Sequence, residues 1–351
     1  MEQKEVRPRA FWLLAMVAGL LAVWLLLGCA KPGQSVACLG KGEVRTVIPV
    51  GRTVGIKLFS RGVMVVGLSD VATDCGSKSP ARECGLKTGD IITHIDGAQV
   101  NSIEEVQDLL QSARGAEQEL TLSRNGRHME AQTAAVQCMT DGSYRLGAWI
   151  RDSMAGIGTV TYYDPATGTF ACLGHGINDI DTQLLMPLQA GAVMGSTVVE
   201  VERGVKGDPG ELHGRFVLDR DLGSLNANTN CGVFGTAAPG VFEGTPVEVA
   251  PAGAVKTGKA TILANVDGDR VEEFEVEILR VYRLSGQDSR SMMLRVTDAE
   301  LLARTGGIVQ GMSGSPILQN GRLVGAVTHV LVNDPTCGYG IFAETMLDAA
   351  S

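Results

Sequence analysis

The chain has 351 residues, of which 44% are hydrophobic and 5% aromatic, and its formal net charge at pH 7 is -9. This length and hydrophobic fraction suffice for a large core and favour two folded domains over one. The chain has no long Lys/Arg run after its first ten residues and so lacks the positive surface that phosphate backbones require; we expect no nucleic-acid partner.

The N-terminus has the pattern of an export or membrane segment. Three basic residues within the first nine precede an uncharged run over residues 10–30. As a helix this run would be roughly 30 Å long, which is enough to span a bilayer. The basic flank predicts that the rest of the chain lies outside the cytoplasm.

The same segment allows three modes of attachment. An uncleaved helix would tether the protein, whereas signal peptidase would release it. The letters "LLLGCA" resemble a bacterial lipobox, which makes Cys29 a candidate for lipidation. We assign residues 1–30 to a signal or membrane anchor and residues 31–45 to a linker.

Cysteines are frequent for an exported chain. Setting Cys29 aside leaves seven of the eight cysteines, so at least one thiol has no partner within the chain. Cys75 and Cys84 bracket the polar loop "DCGSKSPAREC" and could form a disulfide, with free thiols as the alternative. No CxxC pair is present, and no histidine lies at zinc-ligand spacing from a cysteine pair. We therefore expect neither a metal nor a cofactor.

Short β-type runs broken by Gly, Asn and Asp, such as "IGTVTYY" and "GSTVVEVERG", recur along the chain and predict a mostly β protein. The first folded unit is predicted over residues 46–136. Its segment "CGLKTGDIITHIDGAQVNSIEEVQDLLQSA" combines a Gly-Asp turn, a strand, an Asp-Gly turn and a helix. Ser102 and Glu105 form a capping box at the start of that helix.

This order of elements resembles a PDZ domain of the bacterial type attached to secreted proteases. By that resemblance, the loop of Gly55, Ile56, Lys57 and Leu58 would offer backbone N–H groups to a peptide carboxylate. The following strand would then accept the peptide beside the helix at 102–114. The alternative is that the groove is empty and the unit only packs on its neighbour.

Among the five histidines, His175 best fits a general base. It lies in "FACLGHGINDIDTQ", where glycines on both sides indicate close backbone approach. An imidazole with its ordinary pKa of about 6.5 is the usual partner of a serine hydroxyl. His94 and His128 lie in the PDZ-like unit, and His213 lies in a polar turn. His329 lies on a strand that suits substrate pairing better than proton transfer.

The nucleophile candidate is Ser313 in "GMSGSPILQNGRLVGAVTHV". This stretch resembles the G-D-S-G-G-P segment, hairpin and strand of chymotrypsin-like serine proteases. The N–H groups of Gly311 and Ser313 would form the oxyanion hole, and Gly314 would keep the space beside Oγ clear. Ser315 occupies the place of the second glycine. The alternative is a glycine-rich β-turn without chemistry.

The same resemblance assigns Thr328 and His329 to the strand that would pair with the substrate backbone. Met312 stands where the trypsin-like pattern has an aspartate, so activation by an ion pair with a new N-terminus is excluded.

Three carboxylates compete for the third catalytic role. Asp298 in "RVTDAELLARTGG" fits the order His, Asp, Ser, although it precedes Ser313 by only fifteen residues. In the alternative interpretation, Thr297 and Glu300 form a capping box and Asp298 only favours a helix start. Asp179 and Asp181 are the rivals.

Several long motifs fall in one order: "LGHGINDIDT", "VTDAELL", "TGGIVQGMSGSPI" and "GAVTHVLVNDPTCGYG". From about residue 45 to the C-terminus they resemble the stage IV sporulation protein B (SpoIVB) peptidase family. The resemblance implies His175, Asp298 and Ser313 as catalytic residues. The expected fold is mostly β, with a PDZ domain followed by a chymotrypsin-like double β-barrel serine peptidase domain over residues 137–351.

The resemblance also implies a serine endopeptidase that acts between the forespore and mother-cell membranes of a developing endospore. It would cleave itself and the extracytoplasmic part of a membrane complex that restrains an intramembrane metalloprotease, so activating a late mother-cell sigma factor. The PDZ unit would serve self-recognition and substrate targeting. The alternative is an inactive PDZ-bearing envelope scaffold, against which the intact His175 and Ser313 argue.

Overall fold

Residues 44–283 and 289–350 are described in the computed structural model. The predicted anchor with Cys29 lies outside them, as does the predicted linker up to residue 43. Within the described ranges, no helix combines the length and apolar character needed to cross a membrane.

The first half of the described chain is mostly strand. Its strands are β1 (Thr46–Pro49), β2 (Thr53–Leu68), β3 (Val71–Thr73), β4 (Gly76–Lys78), β5 (Ile91–Ile95), β6 (Ala98–Gln99), β7 (Glu117–Arg124), β8 (Arg127–Ala134), β9 (Val136–Gln137), β10 (Tyr144–Arg145) and β11 (Ala148–Asp164). Its helices are α1 (Pro80–Glu83) and α2 (Ile103–Ala113).

The second half continues in the same way. Its strands are β12 (Thr169–Cys172), β13 (Leu188–Glu202), β14 (Glu211–Thr229), β15 (Gly232–Ala237), β16 (Val247–Glu248), β17 (Gly258–Asp267), β18 (Arg270–Val281), β19 (Met292–Val296), β20 (Pro316–Gln319), β21 (Arg322–Leu331) and β22 (Asp334–Phe342). Its helices are a 3-10 turn (Ala252–Ala254), α3 (Ala299–Thr305) and α4 (Ala343–Ala349).

Six strands close into a first barrel. The order around the ring is β2, β11, β12, β15, β14 and β13, each antiparallel to the next, and β13 returns to β2. Alternate side chains of these strands point inward and form the core. This core includes Val54, Leu58, Val160, Phe170 and Val193.

A second barrel of six strands follows, in the order β17, β18, β19, β22, β21 and β20. Its core includes Ile262, Phe274, Leu294, Ile317 and Val327. Two antiparallel barrels in a mostly β chain that also carries a PDZ unit confirm the predicted fold class.

The PDZ unit is built on the second half of β2. There β5, β7 and β8 extend the sheet, and α2 packs on it through Val106 and Leu110. The predicted capping box is confirmed: the Ser102 side chain accepts from the N–H of Glu105, whose carboxylate accepts from the N–H of Ser102.

The long strands β2 and β11 belong to both the PDZ unit and the first barrel. They have 16 and 17 residues and pair from Thr53 with Thr159 to Leu68 with Ala148. Their far halves join the PDZ core, whereas their near halves are barrel strands. The PDZ unit is therefore carried at the tip of a barrel hairpin.

This arrangement corrects the predicted domain boundaries and peptide loop. The PDZ core begins at Val63 and includes Leu146, so it does not correspond to residues 46–136. Gly55, Ile56, Lys57 and Leu58 lie within β2 and pair with β11 on one side and β13 on the other. Because both edges of this segment are already paired, it offers no loop of free N–H groups to a carboxylate.

The described cysteines carry free thiols. Cys75 is exposed and Cys84 donates to the carbonyl of Ala81 at 3.3 Å, so the suggested bridge between Cys75 and Cys84 is not formed. Burial raises the pKa of the Cys172 thiol well above its ordinary range.

Candidate active site

The nucleophile turn is held by one residue of β11. The N–H of Thr159 donates to the carbonyl of Ser313 at 2.9 Å, and its hydroxyl donates to the carbonyl of Gly311 at 2.8 Å. Gly314 adopts a φ of +98°, and a Cβ there would lie 2.0 Å from the carbonyl oxygen of Thr159. Only glycine fits such a close approach.

The two N–H groups predicted for the oxyanion hole are not consumed by the turn. The N–H of Gly314 donates to Val327 and that of Ser315 to Met312. Within the described chain, the amides of Gly311 and Ser313 donate to no protein carbonyl. Both remain available to a ligand oxygen, as an oxyanion hole requires.

The Ser313 hydroxyl points to a carbonyl. Its Oγ donates to the backbone oxygen of Thr328 at 2.7 Å. Ser315 is fully buried, and its hydroxyl has no hydrogen-bond partner among the residues that the structure describes. Met312 is buried in the second barrel, in place of the aspartate of the trypsin-like pattern.

His175 follows β12 and comes directly after two residues with left-handed backbone. Leu173 and Gly174 have φ of +69° and +68°, and a Cβ at Gly176 would lie 2.7 Å from the carbonyl of Thr229. Nδ1 of His175 lies 2.9 Å from the carbonyl oxygen of Gly176. Since a carbonyl can only accept, Nδ1 carries the proton and Nε2 keeps its lone pair. Burial lowers the pKa of His175, which favours this neutral form.

The hairpin after His175 is fixed by a buried carboxylate. Asp179 is fully buried, accepts from the N–H groups of Asp181 and Thr182, and forms an ion pair with Arg151 of β11. Arg151 also contacts Asp181 at 2.8 Å. Burial alone would raise the pKa of Asp179, but the hydrogen bonds from Thr182 and Arg151 outweigh it, and the pKa is lowered. The side chain of Asn228 also holds this segment. Its Oδ1 accepts from the N–H of Ile177, and its Nδ2 donates to the carbonyl of Ile177.

A second imidazole packs against the first. The ring centroids of His175 and His329 are 4.9 Å apart and the ring planes are tilted by 36°. His329 follows Thr328 on β21, so it lies beside the carbonyl that accepts from Ser313.

These groups line one open cavity of about 510 Å³. The structure brings the predicted residues His175, Gly311, Ser313, Thr328 and His329 together there. Ile56, which was predicted to bind a peptide terminus, also lines this cavity. Met154, Ala155, Gly156 and Ile157 of β11 also line this cavity. A serine hydroxyl, an imidazole and two backbone amides that line one cavity are groups that can support acyl transfer.

Asp298 is not brought to this cavity. It is the N-cap of α3, where Oδ1 accepts from the N–H groups of Glu300 and Leu301, and Oδ2 accepts from Glu275 at 3.3 Å. In this arrangement Asp298 does not orient His175, contrary to the prediction, because both its oxygens already bind backbone amides. The cap is Asp298 itself and not Thr297. Asp179 is likewise engaged with Arg151, so the Gly176 carbonyl is the group that fixes the imidazole.

The other histidines lie elsewhere. His94 is on β5 beside Thr93. The exposed His128 has its Nε2 3.9 Å from Oε1 of Glu130. Nε2 of the exposed His213 lies 3.7 Å from Oε2 of Glu202.

Sequence reasoning missed Thr159, Arg151 and Asn228. Each is an ordinary polar residue in a strand pattern, and each acts on a segment far away in the chain. No local signal in the sequence identifies them.

Comparison with known proteins gives two family matches. The profile of the SpoIVB peptidase S55 family matches residues 142–347, and a PDZ domain profile matches residues 71–124. Among curated proteins, the zinc metalloprotease RasP of Shouchella clausii is 27% identical over 140 residues. That match covers 39% of this chain and 32% of the relative, so the chain spans about a third of the relative's length.

Solved structures are similar over parts of the chain. The PDZ domain of the SdrC-like protein from Listeria monocytogenes is 25% identical and covers 26% of this chain and 87% of its own, with a TM-score of 0.21. The active form of the Rv3671c protease from M. tuberculosis is 18% identical, with a TM-score of 0.31. The match covers 56% of this chain and 73% of the Rv3671c chain. The S55 match extends over more than half of the chain; the protein therefore belongs to the SpoIVB peptidase family, with a PDZ domain and a serine peptidase domain.

Proposed function

We propose that the protein is an extracytoplasmic serine endopeptidase in which Ser313 is the nucleophile and His175 the general base. The observation that carries this proposal is the cavity shared by Ser313 and His175, whose Nδ1 lies 2.9 Å from the Gly176 carbonyl oxygen and so leaves Nε2 to accept a proton. Oγ of Ser313 attacks the scissile carbonyl carbon while Nε2 takes its proton. The tetrahedral oxyanion accepts from the amides of Gly311 and Ser313.

The second half of the reaction uses the same groups. The imidazolium returns its proton to the leaving amine, and the acyl-enzyme is then hydrolysed by a water that His175 deprotonates. Before the first attack, Oγ must leave the carbonyl of Thr328, which now holds it at 2.7 Å. This arrangement is a resting state that rotation of the Ser313 side chain converts to the reactive one.

Family membership and the N-terminal pattern support a proposal for the biological role. We propose that the enzyme cleaves itself and a membrane-associated regulator that restrains an intramembrane metalloprotease, so activating a late mother-cell sigma factor. The site of action is the space between the forespore and mother-cell membranes. The basic residues and apolar run at the start of the sequence support export to this side of a membrane.

Attachment to the membrane is tested at Cys29, which lies outside the described residues. Metabolic labelling with a fatty-acid analogue marks the wild type and not Cys29→Ala if the lipobox is used. Absence of label on both leaves a helical tether or a cleaved signal.

A second candidate function is a PDZ-bearing scaffold without activity. The observation that favours it is that none of the candidate carboxylates Asp179, Asp181 and Asp298 contacts His175. A fluorophosphonate probe decides between the two functions, since it modifies only an activated serine. We expect labelling that maps to Ser313. A folded protein that no probe labels would establish the scaffold.

A further inference from the structure

One carboxylate stands at the catalytic cavity. Among the described residues that line this cavity, Glu211 is the only one with an ionisable side chain apart from His175 and His329. Glu211 is exposed, and within the described chain its carboxylate neither accepts a hydrogen bond nor forms an ion pair. Its charge is therefore open to a molecule that enters the cavity.

The backbone of Glu211 is fixed beside the nucleophile turn. Glu211 begins β14 and forms a parallel bridge with Gln310. The N–H of Gln310 donates to the carbonyl of Gly210 at 3.0 Å, and the N–H of Leu212 donates to the carbonyl of Gln310 at 2.9 Å. Gln310 directly precedes Gly311, whose amide is one half of the proposed oxyanion hole. Glu211 is thus one strand spacing, roughly 5 Å, from the segment that would hold the reacting carbonyl.

Close packing holds the start of β14 in this place. A Cβ at Gly311 would lie only 3.0 Å from Cβ of Leu212. Gly210 has a φ of +69°, and a Cβ there would lie 2.3 Å from the carbonyl oxygen of Glu202 on β13. Only glycine permits such a close approach of two backbones. The strand start therefore has little freedom to move away from the nucleophile turn.

The carboxylate of Glu211 brings the fold no stability at this position. In the antiparallel pair of β13 and β14, Glu211 lies directly opposite Glu202. Like charges in this relation repel each other. Nε2 of His213 lies 3.7 Å from Oε2 of Glu202, whereas Glu211 has no ion pair in the part of the chain that the structure describes. Such a local conflict is typical of functional sites.

The rest of the cavity indicates which side chain would meet this charge. The apolar residues of its lining include Met154, Ile157, Ile308, Val309, Val330 and Val332. Lysine and arginine have a cation at the end of an apolar stem, so the stem can lie on apolar walls while the cation reaches a carboxylate. An acidic side chain would be repelled by Glu211.

We propose that Glu211 is a specificity-determining residue that selects a substrate with arginine or lysine within two residues of the scissile bond. This inference rests on the proposed peptidase function and adds the substrate class to it. An extended substrate rises roughly 3.3 Å per residue, so side chains within two residues of the bond start within about 7 Å of it. Arginine is the better partner, because its guanidinium can form two parallel hydrogen bonds with a carboxylate.

The first test compares internally quenched peptides that carry either arginine or citrulline at each of the two positions before and after the scissile bond. Citrulline has nearly the shape of arginine but no charge. We expect kcat/KM to be at least about tenfold higher with arginine at one of these positions, because a hydrogen bond to a charged group contributes on this scale. The gain should shrink at about 1 M salt, which screens an exposed ion pair.

The outcomes of this test separate the inference from the peptidase function. Equal cleavage of the arginine and citrulline peptides at every position overturns the inference and leaves the peptidase intact. Cleavage of no peptide also overturns the inference. If fluorophosphonate labelling of Ser313 is absent as well, the peptidase function fails with it.

The second test assigns the preference to one carboxylate. Glu211→Gln removes the charge and keeps the size of the side chain. Glu202→Gln is the matched control, because it removes the same charge from the residue directly opposite, which does not line the cavity. We expect the ratio of kcat/KM for arginine over citrulline to fall to about one in Glu211→Gln and to stay at least about tenfold in Glu202→Gln.

Reversal of the charge gives a gain of function that loss of folding cannot mimic. Glu211→Lys should cleave a peptide with glutamate at the selected position faster than the same peptide with glutamine. Thermal unfolding checks the fold, and Glu211→Gln should unfold at no lower temperature than the wild type, because the repulsion from Glu202 is relieved. An arginine preference that persists in Glu211→Gln, or that falls equally in Glu202→Gln, overturns the proposal.

Discussion

The hydroxyl of Ser313 donates to the carbonyl of Thr328 at 2.7 Å, and not to the imidazole of His175 that lines the same cavity. The hydroxyl proposed as the nucleophile is thus bonded to a main-chain group of the strand predicted to pair with substrate, and not to the proposed base. A substrate that competes for this strand can release Oγ for attack.

Ser313→Ala should abolish labelling by a fluorophosphonate, because no other hydroxyl occupies the turn between Gly311 and Gly314. Ser315→Ala is the matched control, since the buried Ser315 hydroxyl has no hydrogen-bond partner in the described part of the chain. We expect that variant to be labelled at the wild-type rate and to be at least as stable, because an unpaired buried hydroxyl is removed. Labelling that survives in Ser313→Ala would contradict the assignment.

The pH dependence of kcat/KM should report the lowered pKa of His175. Burial disfavours the imidazolium, so the free enzyme keeps a neutral base below the ordinary pKa of about 6.5. Activity is therefore lost only as the pH falls through this lowered value, and the acid limb should lie below pH 6.5. His175→Ala should lose activity by a factor on the order of 10⁶, as when either member of such a pair is removed. An acid limb above pH 6.5 would show a different base.

Arg151→Met should destabilise the protein by about 3–5 kcal/mol, because it leaves the buried carboxylate of Asp179 unpaired. Adding Asp179→Asn removes that charge and should restore part of the stability, so the double variant is more stable than Arg151→Met alone. Urea unfolding of the wild type, the two single variants and the double variant measures the four free energies of unfolding that this comparison needs. Probe labelling of the folded variants should follow the same order, because the hairpin places His175. Arg151→Lys should retain more labelling than Arg151→Met.

Arg145→Met is the control for the loss of an arginine. Arg145 pairs with Asp141 at the surface, where both side chains are about half-exposed. We expect its effect on stability to lie within about 0.5 kcal/mol. If the effects of Arg151→Met and Asp179→Asn on the free energy of unfolding simply add in the double variant, the two side chains are not coupled.

Asp298→Ala should cost about 1 kcal/mol of stability, because α3 loses its N-cap, whereas Asp298→Asn keeps an acceptor and should cost less. Thermal unfolding measures both. In the arrangement described, turnover of folded Asp298→Asn should be close to that of the wild type. A fall approaching 10⁴ would mean that Asp298 leaves the helix start and reaches His175 during catalysis.

Gly314→Ala should prevent formation of the nucleophile turn, because its Cβ would lie 2.0 Å from the carbonyl of Thr159 and its φ is +98°. We expect loss of probe labelling together with lower thermal stability. Gly253→Ala is the control, since a methyl group there would meet no atom within 4 Å beyond its chain neighbours. Normal labelling of Gly314→Ala would show that Ser313 reacts with the probe without this conformation of the turn.

Local chemistry in the sequence predicted which segments form the cavity. Glycines beside Ser313 and His175 indicated close backbone approach, and the structure shows those approaches with Thr159 and Thr229. The roles assigned to these residues remain predictions that the experiments above test.

Partners distant in the chain could not be predicted. Asp179 was a candidate acid because it lies near His175, but a carboxylate's role depends on which cation reaches it, and Arg151 comes from another strand. The error at Gly55–Leu58 has a similar cause, since an alternating pattern predicts a strand without showing how many neighbours it has. In the structure these residues belong to β2, a single long strand that continues from the first barrel into the PDZ unit.

The pairing of Leu68 with Ala148 bears on how the PDZ unit is joined to the first barrel. Both connections between them are hydrogen-bonded strands, since β2 and β11 pair from the barrel to this point. The PDZ unit therefore does not hang on a flexible linker, and a change in its orientation requires bending or unpairing of these two strands.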